Sequence, residues 1–67
     1  MAVARVTEVI GISPLGWKEA LDEALNRASR TLRNINHVEI VRQEATIESG
    51  RIKDYVITCH ITFVLEK

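Results

Sequence analysis

Disulfides are excluded at once, because Cys59 is the only cysteine among 67 residues and a crosslink within the chain needs two. No CxxC or CxxH spacing offers a zinc site, and the two histidines, His37 and His60, stand far apart in sequence. A surplus of one charge is also lacking. Nine basic side chains are cancelled by nine acidic ones, and no window gathers lysine and arginine into a groove for nucleic acid. Apolar runs fall far short of the roughly 20 residues that span a bilayer, and MAVARVTEV carries no signal-peptide core. These absences predict a soluble, cytoplasmic protein with neither nucleic acid nor membrane among its partners. They also leave one small domain, residues 1–67, with no staple to supplement the limited core that so short a chain can bury. Partner subunits are the remaining source of stability.

What is present is strongly patterned. From Ala2 to Ile12 the residues alternate, with Ala4, Val6, Ile10 and Ile12 on one face and Val3, Arg5, Thr7 and Val9 on the other, as in a strand. Glu8 interrupts the apolar face. Ser13 and Pro14 then suit an N-cap and a first helical position, and Ile12 with Trp17 has the spacing of a hydrophobic staple. The helix is predicted to run to Leu32 or Arg33, with Trp17, Ala20, Leu21, Ala24, Leu25, Ala28 and Leu32 forming its apolar stripe. Its acidic residues crowd the first half and its arginines the second, in accord with the helix dipole, and Glu23 stands four before Arg27. The alanines of the stripe let the backbone lie close to a sheet.

Two further strands flank the turn ESGR. Symmetric closure about Ser49 and Gly50 pairs positions that sum to about 99, which sets Glu39 opposite His60 and Val41 opposite Thr58. One face then carries Val38, Ile40, Tyr55, Ile57, Cys59, Ile61, Phe63 and Leu65 and belongs under the helix. The other carries His37, Glu39, Val41, Gln43 and Ala45 beside Val56, Thr58, His60, Thr62 and Val64. The last strand, the longest, is predicted to lie in the centre, flanked by the first two. The fold class is α+β: a β-α-β-β chain with a three-stranded, antiparallel-type sheet and one amphipathic helix on one face. The second face mixes valines with threonines, histidines and a glutamate, as subunit contacts do, so a homo-oligomer packing through His37, Val41, Val56, Thr58 and Thr62 is expected. Cys59 reads as a small buried hydrophobe. Glu39 and His60 could serve as an acid/base pair, but no nucleophile or oxyanion donor accompanies them, and they read as a stabilising cross-strand contact in a protein that is not an enzyme.

The opening VTEVIGISPLGW, the helix EALNRASRTLRNI, the strand HVEIVRQEATI and the closing YVITCHITFVLE follow one another in a particular order and spacing. Over nearly its whole length the chain resembles the dodecins. That resemblance implies a hollow homododecamer holding flavin (riboflavin, FMN or FAD) between subunits, as a store without catalytic turnover. It implies a flavin pocket whose stacking tryptophan falls at His37 and whose glutamine falls at Val56, so that the positions remain while their chemistry has changed. An arginine suited to a flavin phosphate falls at Glu44. The SP-x-x-W helix start, together with loss of the stacking tryptophan, is similar to the calcium dodecins. The alternative implied is a shell that gathers cations between subunits, through carboxylates such as Glu8, Glu39 or Asp54.

Overall fold

A computed structural model describes residues 2–66. Its elements are β1 (Val3–Ser13), α1 (Trp17–Ala28), β2 (Ile35–Glu48) and β3 (Arg51–Glu66), and the sheet order is β1-β3-β2. Both outer strands run antiparallel to β3, so β1 and β2 are parallel to each other and joined through the helix. The central place of β3 is as expected. Among the described residues no helix is long and apolar enough to cross a membrane.

The core sits where α1 meets β1 and β3. Ala20, Ala24 and Ala28 are buried against Ile57, Cys59 and Ile61. Small side chains on the helix stripe bring its backbone down onto the sheet, and at Gly11 a Cβ would run into the Ala20 carbonyl oxygen. Glycine is required there by space alone. Trp17 packs edge-on against Tyr55 of β3, with ring centroids 4.7 Å apart at 77°.

Both helix ends differ from expectation. The N-cap is Gly16, without a side-chain hydrogen bond, whereas Ser13 remains in β1 and its Oγ accepts from the Leu15 N–H at 3.1 Å. Ser13 therefore stabilises the strand-to-helix turn instead of the first helical turn. Ile12 pairs with Val56 on the side away from the helix and is half exposed, so it is turned away from the helix side where Trp17 packs, and the staple does not form. At the other end α1 stops at Ala28, because the next amides bond three residues back (Arg30 to Arg27, Thr31 to Ala28) and tighten the turn. Leu32 still packs on the core. Asn34 then takes φ 62° and exchanges hydrogen bonds with the Val64 backbone, accepting at 3.1 Å and donating through its side chain at 3.3 Å.

The β2–β3 hairpin closes through Ser49 (φ 53°) and Gly50 (φ 76°), the positive pair that a two-residue type I′ turn demands. Glu39 stands opposite His60, as expected, but Val41 does not face Thr58. The register shifts between Ile40 and Arg42, so Val41 is the extra residue of a bulge and Arg42 takes its partner. The pairing is displaced by one from Arg42 to Thr46, so these side chains change face, and a second shift between Thr46 and Ile47 restores the expected pairs Ile47–Ile52 and Glu48–Arg51. Arg42 and Glu44 join the open face, and Gln43 and Ala45 leave it.

Candidate functional site

The face of the sheet opposite the helix consists of four rungs, each crossing all three strands. In order along β3 they are Val6–Thr62–His37, Glu8–His60–Glu39, Ile10–Thr58–Arg42 and Ile12–Val56–Glu44. Among the described residues no element covers them. Val6, Ile10 and Ile12 are each more than half exposed, although apolar alternation in β1 is strongest on that side. Thr58, walled in by its rung, is the exception at 2%.

The two positions expected to line a flavin pocket, His37 and Val56, lie on this one face but stand three rungs apart. Six residues of strand amount to roughly 20 Å, so a single chain does not bring them together. Around Val56 stand Ile12 and Glu44, with Arg42 Nε 3.5 Å from Glu44 Oε1. Around His37 the neighbours across the strands are Thr62 and Val6.

The Glu8–His60–Glu39 rung brings a polar side chain from each of the three strands together. His60 presents Nε2 to Glu8 Oε2 at 3.6 Å and Nδ1 to Glu39 Oε1 at 3.9 Å, beyond hydrogen-bond length yet close enough for charge to matter. Glu39 was expected beside His60. Glu8 was not, although its interruption of an apolar face marked it as a residue with a partner. Asp54, the third carboxylate proposed for a cation, pairs with Thr46, six residues along β3 from His60, and so falls outside this cluster. Among the described residues no three histidine, cysteine or acidic side chains converge as a metal site would require. On the helix side, burial pushes the Cys59 thiol up from its ordinary value, which keeps it protonated and unreactive.

A family model described as Dodecin matches residues 3–66. The chain belongs to the dodecin family. It is 32% identical over 65 residues to the dodecin of Thermus thermophilus, covering 97% of this chain and 94% of that one. The calcium dodecin of Mycobacterium tuberculosis is 30% identical over 63 residues, 94% of this chain and 89% of that protein. Its structure, titled as a calcium-chelating antigen with a novel calcium-binding site, superposes with a TM-score of 0.82. The dodecin of Streptomyces coelicolor superposes with a TM-score of 0.94 at 36% identity, over 98% of this chain and 94% of that one. The β-α-β-β subunit is thus a dodecin subunit, and the family is one of small oligomeric, ligand-binding proteins.

Proposed function

We propose that copies of this chain assemble into a hollow homododecamer that holds a flavin, or a related flat ligand, between subunits and turns nothing over. The observation that carries the reading is the roughly 20 Å between His37 and Val56 on one bare face. Two positions of one pocket that stand so far apart in a chain meet only when each comes from a different copy. In such a pocket the His37 imidazole stacks on or donates to the ring system, and Val56, Ile12 and Thr62 supply apolar walls. Arg42, carried to the open face by the bulge, adds a cation near Val56. The assembly is cytoplasmic in this reading. Sedimentation and an absorption spectrum of one sample provide the test: a particle of about twelve subunits that quenches riboflavin fluorescence at micromolar levels is expected. A single folded chain in dilute solution refutes it.

A second reading, a shell that gathers calcium, is favoured by the Glu8–His60–Glu39 rung and by the 30% identity to a protein named calcium dodecin. Carboxylate oxygens are the ligands calcium prefers, and repetition by symmetry multiplies them. Calorimetric titration with calcium distinguishes the two: heat that disappears in Glu8→Gln/Glu39→Gln, with riboflavin quenching absent, selects the cation.

A further inference from the structure

His60 stands where each of its ring nitrogens faces a carboxylate from a different flanking strand, Nε2 towards Glu8 of β1 and Nδ1 towards Glu39 of β2. Its side chain is 38% exposed, against 56% and 66% for the two carboxylates. It belongs to the central strand, between Thr58 and Thr62 on the same face, with ladder partners on both sides. The imidazole is therefore the fixed member of the rung, and the carboxylates are the members free to turn. Apolar Val6 and Ile10 flank Glu8 along β1. The one lysine or arginine in the two neighbouring rungs, Arg42, turns to Glu44 at 3.5 Å. With a neutral imidazole the rung thus holds two negative charges and no basic side chain to cancel them.

A nitrogen donor at the centre of the rung matters for the choice of ion. Calcium fills about six to eight positions with oxygen, and the imidazole offers none. Late first-row divalent cations, zinc and copper among them, take imidazole readily. Zinc bonds histidine nitrogen at about 2.0–2.1 Å and carboxylate oxygen at about 2.0–2.2 Å, so two such donors on a tetrahedral ion stand about 3.4 Å apart. His60 Nε2 and Glu8 Oε2 are 3.6 Å apart. A histidine that holds such an ion through one nitrogen almost always donates the N–H of the other, often to a carboxylate, which fixes its tautomer and orientation. Glu39 Oε1 lies 3.9 Å from Nδ1, and rotation of this exposed side chain closes the gap to hydrogen-bond length.

We propose that Glu8 and His60 Nε2 bind a zinc-class divalent cation, with Glu39 as the positioning residue that holds the imidazole from its other side. One chain supplies two ligands, not three, and water fills the remaining positions. The ion cancels the two carboxylate charges of the rung. This inference rests on the same rung as the calcium reading and assigns it a different class of ion, so the choice of metal separates the two.

Calorimetric titration of the full chain with zinc chloride, and in parallel with calcium chloride, tests it, with circular dichroism as the check on folding. Zinc is expected to bind at micromolar concentration and calcium roughly a hundredfold more weakly. His60→Gln and Glu8→Gln each remove a ligand and abolish zinc binding in that range. Glu39→Gln weakens it roughly 10- to 100-fold and shifts the His60 imidazole nitrogen resonances, which report the tautomer. Cys59→Ala leaves zinc affinity unchanged, the thiol being buried on the helix side. Calcium heat without zinc heat overturns the inference and leaves the calcium reading standing. Zinc binding that survives His60→Gln overturns it as well. Should that variant unfold, the wild-type His60 nitrogen resonances decide: a shift of Nε2 on adding zinc is expected, and its absence overturns the site.

Discussion

Ile61 and Ile52 lie nine residues apart on one strand, the first fully buried and the second half exposed. Both alternate with polar neighbours along β3, Arg51 and Lys53 beside one and His60 and Thr62 beside the other. What differs is reach: α1, with 12 residues, is roughly 18 Å long, whereas the molecule extends 51 Å. Under the helix an alanine stripe and Gly11 allow backbone to meet backbone, and isoleucines become core. Beyond it the same residue types line an arm, where β2 and β3 run past the end of β1, and an open face that stay exposed in the single chain. The lesson is that hydrophobicity in this chain is divided between a covered share and an uncovered one, and only the fold shows which is which.

Substitutions should expose that division. Ile61→Ala is expected to cost about 2–5 kcal/mol in urea unfolding, through lost transfer energy and the cavity left behind, while Ile52→Ala at low protein concentration stays within about 0.5 kcal/mol. Equal costs would erase the distinction. Gly11→Ala follows, at about 1–3 kcal/mol, because the new methyl must push the Ala20 carbonyl away. On the open face the change should gain rather than lose. His37→Trp restores a stacking surface and is expected to tighten riboflavin binding roughly tenfold, about 1.4 kcal/mol, in a quenching titration. Gly50→Ala, at φ 76°, should destabilise the arm by about 1 kcal/mol, read as faster amide exchange in residues 46–54 with core protection unchanged.

The smallest effect concerns pH. Burial raises the Cys59 thiol above its ordinary value of about 9, so the folded chain keeps this proton where the unfolded chain releases it. Its contribution is complete below about pH 9 and declines as pH rises beyond. The urea midpoint should therefore drop between pH 8 and pH 10, and drop less in Cys59→Ala.

Much of the architecture was legible in the sequence. The alanine stripe of α1, the central position of β3 and the Glu39–His60 pairing follow from periodicity and from a two-residue turn that fixes register at close range. The bulge at Val41 was not legible, because an extra residue in an edge strand reflects how tightly that strand must coil against its partner, and no residue type announces it. From Arg42 to Ala45 the predicted faces were consequently reversed, while the pairs next to the turn, Ile47–Ile52 and Glu48–Arg51, kept the predicted register. The helix start misled for a different reason: Ser13 is a good cap, but its strand pairing with Tyr55 prevailed. His37 and Val56 were correctly placed on one face, whereas the roughly 20 Å between them is a property of the register along a long strand.

The shortest dimension of the molecule is 13 Å, one helix over one sheet. Across a sheet this thin, neighbouring residues of one strand look out on opposite surfaces. Trp17, the only indole in the chain, touches Tyr55 on one surface, and the next residue, Val56, looks out from the other. A near-ultraviolet-absorbing guest beside Val56 would therefore dim the chain's own fluorescence across the sheet, so that occupancy can be followed without a label.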